Sequence, residues 1–132
     1  MNWIVAKIKW IMLVSGALTF TMLHAAIAPQ AALRSTFGAT LEGPLAEIVV
    51  RNWGALIALV GAMLIYGAYR PAGRPLILTV AGLSKLVFIG LVLTYGRQFL
   101  GRQAGVAIVI DLAMVALFIA YLVRVRLAEE GA

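Results

Sequence analysis

Four apolar runs of about 20 residues leave this chain little choice of fold, because that is the length a helix needs to cross a bilayer. They are residues 10–28 (WIMLVSGALTFTMLHAAIA), 49–69 (VVRNWGALIALVGAMLIYGAY), 76–96 (LILTVAGLSKLVFIGLVLTYG) and 104–123 (AGVAIVIDLAMVALFIAYLV). Backbone amides have no water to bond in hydrocarbon, so such runs must be helical or part of a closed barrel. Runs this long and uniformly apolar are helices rather than alternating barrel strands. The second helix is expected to begin slightly before its run, giving helices over about 10–28, 47–69, 76–96 and 104–123. Hydrophobic residues make up 64% of the chain and charged ones 12%. Soluble domains hold about half and a quarter respectively, which excludes a soluble reading. The expected fold is all-α: an antiparallel, integral membrane four-helix bundle, with residues 1–132 as one domain.

The first run needs a separate test. Lys7 and Lys9 precede it, and Ala26-Ile27-Ala28 has the small-x-small form of a signal cleavage site. Pro29 follows directly and suits such a junction poorly, so the run is expected to stay as a membrane helix.

The connections are short. Residues 29–44 form the longest, part of it expected on the membrane surface. RPAGRP, residues 70–75, is a tight turn built of helix breakers. RQFLGRQ, residues 97–103, is the third connection. None is long enough to fold alone, so any chemistry belongs to the bundle, its rim or a partner.

Charge sets the expected orientation. Lys7, Lys9, Arg70, Arg74, Arg124 and Arg126 fall on the side of the termini and the second connection, against Arg34, Arg97 and Arg102 opposite. Lysine and arginine favour the cytoplasmic face, so both termini are expected there (N-in/C-in). The formal net charge is +6, and most basic residues flank apolar runs. Their expected partners are anionic lipid headgroups of the bilayer, not nucleic acid. Cysteine is absent, which removes disulfides, thiol nucleophiles and iron–sulfur ligation.

The informative residues are the polar ones inside the runs. Lys85 lies near the centre of the third, where a charge costs about 2.5–3.5 kcal/mol on insertion scales. Around a hairpin turning near Leu100, Lys85 faces a position near Val115. Asp111 is one turn beyond, about 6 Å along the axis and within a lysine's reach. Asp111 is therefore the expected partner. His24 lies near the end of the first run, and Glu47, Arg51 and Asn52 open the second. All fall in the half predicted to face outward. Ala81 and Gly82 share the face of Lys85, Ala55, Ala58 and Ala62 that of Arg51, and Ala107 that of Asp111. Small residues mark close helix contacts in membranes. The expectation is one inward-facing cluster of Lys85, Asp111, Arg51, Asn52, His24 and Glu47.

Two uses of that cluster compete. It fixes helix register through a Lys85–Asp111 pair, or it forms a polar pocket or ion path. Several specific chemistries are disfavoured. A single histidine without cysteine makes a structural metal site improbable. Ser84 and Lys85 are adjacent and point about 100° apart on a helix, so they are not a nucleophile and its base. No G-x-S-x-G or phosphate loop occurs.

With Glu47-x-x-x-Arg51-Asn52 opening the second helix (EIVVRNWGALIALVG) and a charged residue inside the third, the chain resembles the small bacterial membrane proteins of the DoxX-like and BphX-like groups. The resemblance covers the whole layout and implies a four-helix bundle with a polar interior in a bacterial inner membrane. Likeness to the small multidrug resistance transporters is weaker, because those carry a membrane-embedded glutamate in helix one and this chain has no carboxylate there. Lys85 and Arg51 suit an anionic or neutral polar ligand better than a lipophilic cation. The leading functional expectation is non-enzymatic binding of such a ligand, or service as an accessory subunit of a larger membrane complex. The second is a small dimeric transporter using Lys85 and Asp111. The third is an intramembrane enzyme relying on Asp111 or His24.

Overall fold

The computed structural model of the chain describes residues 2–131. Six α-helices follow in order: α1 (Asn2–Phe20), α2 (Leu23–Ile27), α3 (Pro29–Phe37), α4 (Pro44–Tyr69), α5 (Arg74–Tyr95) and α6 (Gln103–Glu130). No strand occurs among the described residues. Four helical stretches are long and apolar enough to cross a membrane: Trp3–Ile27, Pro44–Tyr69, the stretch ending with α5, and α6. Only about a third or less of each is buried within the protein. Leu45, Leu76 and Val109 are among many large apolar side chains on the outside. Such a surface is at home in lipid, not in water.

The first span is interrupted where hydroxyl side chains compete for helix carbonyls. The amide of Met22 bonds the Thr19 carbonyl, a three-residue step, rather than the Leu18 carbonyl a regular helix would use. The Thr21 hydroxyl takes Leu18 instead, at 2.5 Å. Threonine back-bonding of this kind tightens or bends a helix locally. A second break follows at Ala28 (φ −131°, ψ 73°), the residue before Pro29. Proline drives its predecessor out of helical conformation and is well placed at the first position of the next helix.

That next helix, α3, lies where the sequence predicts a surface connection. Pro29, Ala32 and Leu33 are buried, so one side of it docks on the bundle, where it touches α4 and α6. Its mean apolarity is too low to register as a membrane run, which hides it in the sequence. It ends at Gly38, whose φ of 73° is left-handed. Arg102 lies against Gly38, where a Cβ would come within 2.8 Å of the arginine Nε. The other helices also extend beyond the sequence boundaries: α4 starts at Pro44 and α6 runs to Glu130.

Helix α1 packs on α4 and α6, α4 on α5, and α5 on α6. The α1–α4 seam is built from small residues. A Cβ on Gly16 would lie 2.8 Å from the Gly61 carbonyl oxygen, and where the seam continues between α2 and α4 one on Gly54 would lie 2.6 Å from the Ala25 Cβ. Backbone approach this close is the usual way helices associate in lipid, where burying apolar surface brings no gain. Arg74 closes the α4–α5 turn by donating to the carbonyls of Gly67 (2.9 Å), which also accepts the Arg70 amide, and Ala68 (2.7 Å), at the end of α4 where the helix ladder runs out. The half of the bundle holding both ends of the chain is solid: Met12, Leu64, Leu78 and Phe118 are fully buried there. The opposite half has a smaller core of Ile89, Val92 and Ile108. The cavity described next lies between the helices of that half.

Candidate functional site

Lys85 reaches the bundle centre from α5 because Ala81 and Gly82, both buried, leave that face narrow. Its Nζ lies 3.0 Å from Asp111 Oδ1 on α6 and 3.1 Å from Thr19 Oγ1 on α1. The residue is only 7% exposed. Thr19 in turn donates its hydroxyl proton to the Ser15 carbonyl at 2.6 Å, which leaves the oxygen's lone pair for the lysine. An ammonium has three donors. Two are used by protein groups, so one remains. Asp111 Oδ2 has no hydrogen-bond partner among the described residues.

The unused groups border a cavity of about 280 Å³. Lys85, Ser84 and Phe88 of α5 line one side, and Ala107, Asp111 and Met114 of α6 line another. Thr19 of α1, Thr21 at the break and His24 of α2 line the third side, where Thr21 and His24 are exposed and the cavity is partly open, and Trp53, Ile57 and Val60 of α4 line the fourth. Thr36 and Gln103 stand at the end nearest α3. From Met114 to Gln103 the cavity extends about 16 Å along α6 at 1.5 Å per residue. Its volume lies near the lower end of the range for small-molecule sites, or room for roughly nine waters. The deep end carries the ion pair; the end toward α3 carries neutral hydrogen-bonding groups.

His24 stands on the cavity wall with its ring fixed. Nδ1 is 2.8 Å from the Thr21 carbonyl oxygen, which also accepts the His24 backbone amide. A carbonyl only accepts, so Nδ1 is the donor in this bond, and Nε2 is left for other partners.

The other three residues of the expected cluster stand apart from this cavity, and the single six-residue cluster is corrected accordingly. The buried face of α4 runs through Val50, Gly54, Ala58 and Gly61. Ala62, expected to share an inward face with Arg51, is exposed. Arg51 therefore leaves the centre and bonds the carbonyls of Ala26 (2.5 Å) and Ile27 (3.2 Å). Those carbonyls sit at the α2–α3 break, where the helix ladder ends. Glu47 lies 4.0 Å from Arg51, and both side chains are nearly half exposed, at 48% and 46%. Asn52 is exposed as well. Arg51, Glu47 and Asn52 thus form an outer brace, while Lys85, Asp111 and His24 line the cavity.

Several lining residues escape sequence reasoning. Thr19 and Thr36 are uncharged, and hydroxyls scattered in apolar runs mostly bond their own helix. Thr36 also lies on α3, which no apolar run announces. A spacing of four between Ser15 and Thr19 is the one available hint, since it puts two hydroxyls on one face of α1. Among the described residues, no group of three metal-ligating side chains comes together.

No protein-family model, curated protein or solved structure matches this chain.

Proposed function

We propose that this chain is a polytopic protein of the bacterial inner membrane that binds a small polar ligand between its helices without transforming it. The observation that carries the proposal is the placement of the Lys85–Asp111 pair on a 280 Å³ cavity rather than in packed protein. A pair serving only to fix register needs no cavity, and a lysine with a spare donor beside a carboxylate with a spare oxygen can grip both an acceptor and a donor. Orientation follows from charge: the helices alternate in direction, with both termini cytoplasmic and the cavity in the outward half. The layout-level likeness to DoxX-like and BphX-like proteins agrees with a bundle of polar interior.

Binding is favoured over transport by the other half of the bundle. Met12, Leu64, Leu78 and Phe118 fill it, so the cavity ends at the level of Lys85 rather than continuing as a path. The cavity charges cancel, because Asp111 neutralises Lys85 and Arg51 stands outside. An ionised ligand would add an unpaired charge in a poorly solvated space, at a cost of several kcal/mol. An uncharged hydrogen-bonding ligand fits better than the anion that Arg51 would have favoured.

Native mass spectrometry from mild detergent tests this reading. Wild type is expected to carry a discrete mass other than bulk phospholipid, and Lys85→Met to lack it. Bare protein in both, with Lys85→Met merely less stable, would leave the pair a structural fastening.

A further inference from the structure

A second hollow adjoins the polar cavity. It is an apolar groove of about 340 Å³ between α3, α4 and α5. Val49, Leu91 and Tyr95, more than half exposed, form its lips on the lipid-facing side, and Val92 lies in its floor. Trp53 and Phe88 line both hollows. They are therefore the partition between a polar space and an apolar one. Phe37 stacks near Trp53, with ring centroids 6.2 Å apart, and holds it from the α3 side.

Resting on the ligand-cavity reading above, we infer that the two hollows are one site for a lipid-soluble amphiphile. Its uncharged head, bearing hydroxyl or carbonyl groups, sits against Lys85, Asp111 and His24. Its single apolar tail passes Trp53 and Phe88 and lies in the groove. Three observations point to this class. The charges in the cavity cancel, so the head is neutral. The cavity offers both donors and acceptors, so the head is a hydrogen-bonding group rather than a hydrocarbon. The groove's lips, Val49, Leu91 and Tyr95, are exposed apolar and aromatic residues toward the ends of the second and third spans, so the ligand enters from the bilayer side at that level rather than from water. From Phe88 to Gly96 the groove follows α5 for about 12 Å, which suits one tail of medium length. A phospholipid, with two chains and a charged head, fits neither hollow.

The test uses the full chain in phosphatidylcholine nanodiscs and a monoacylglycerol carrying a diazirine midway along its acyl chain. After illumination, labelled peptides are identified by mass spectrometry. Label is expected to concentrate on residues 91–95, the groove side of α5. Two variants alter the cavity and touch no groove residue: Lys85→Met removes a head contact, and Ala107→Leu keeps the ion pair but fills the head space. Lys85→Met is expected to lower groove labelling about tenfold, the change that loss of one hydrogen bond to a charged group brings, and Ala107→Leu to lower it at least about tenfold by occupying the volume of the head. Ala107→Leu serves where Lys85→Met fails to fold. Groove labelling unchanged in a folded variant, or label spread evenly over the outer faces of all four spans, overturns the inference. If wild type still carries its Lys85-dependent mass in that case, the cavity holds a small solute and only the tail assignment falls. If that mass is missing too, the ligand-cavity reading falls with it.

Discussion

Lys85 Nζ and Asp111 Oδ1 stand 3.0 Å apart, joining α5 to α6 beside a cavity rather than within packed side chains. Removing one partner of a buried pair strands the other, at about 3–5 kcal/mol in soluble proteins. Lys85→Met and Asp111→Asn should each lower stability by about that amount, less whatever solvation the cavity supplies. The double variant should lose less than the sum of the two, with a coupling of about 1 kcal/mol or more. Reversible unfolding in mixed micelles measures all three. Strictly additive losses would mean that the two side chains do not support each other.

Arg51 makes a contrasting prediction. Its guanidinium bonds the Ala26 and Ile27 carbonyls from an exposed position, so Arg51→Ala should cost about 1 kcal/mol, below the range of about 1.5–3 kcal/mol for bonds to charged groups because solvent competes for both partners. Bound ligand mass should be unchanged, because Arg51 does not line the cavity. Both bonds come from the single nitrogen Nη1, so Arg51→Lys should recover part of the stability: an ammonium also offers several donors on one nitrogen, but on a shorter side chain. Loss of the bound mass in Arg51→Ala would place Arg51 back in the site.

The α1–α4 seam separates two glycines that look alike in the sequence. A Cβ on Gly61 would collide with the backbone nitrogen of Phe20 and the carbonyl of Gly16, both main-chain atoms that cannot swing away. Gly61→Ala should therefore cost about 1–3 kcal/mol, as overpacking generally does. Gly82 is buried, yet nothing lies within 4 Å of an added Cβ. Gly82→Ala should unfold no earlier than wild type. Equal effects of the two substitutions in thermal melts would contradict the seam.

How much of this was legible beforehand depended on the kind of signal. The four spans were legible because lipid imposes a length and an apolarity that any run of 132 residues either meets or does not. Lys85 and Asp111 were legible because a charge in such a run is costly and helical rise fixes the depth of each across a hairpin. Counting residues puts Arg51, Asn52 and Glu47 near the same end of the bundle as Lys85 and Asp111, but the three do not line the cavity. Depth follows from counting residues, whereas the direction a side chain faces depends on which stripe of α4 is buried. Gly54, Ala58 and Gly61 define that stripe, and Arg51 lies at its edge. Helix α3 was hidden for a different reason: it docks through three buried residues and has no continuous apolar run. Thr19 was hidden because its hydroxyl is satisfied by its own helix, and only the fold shows the lysine on the other side.

Thr19 also matters to the order of events at the ribosome. Lys85 is synthesised 26 residues ahead of Asp111 but 66 residues behind Thr19. While the fourth span is still being made, the third must enter the bilayer with its lysine lacking a carboxylate. The hydroxyl on the first span is the one member of the finished trio already in place to receive it. Thr19→Val should therefore lower the amount of protein correctly inserted more than it lowers the melting temperature of what does insert. Comparing membrane-integrated yield with thermal stability for that single substitution measures the difference. Equal, small effects on both would confine Thr19 to a minor contact, and the third span would be shown to carry its charge across unaided.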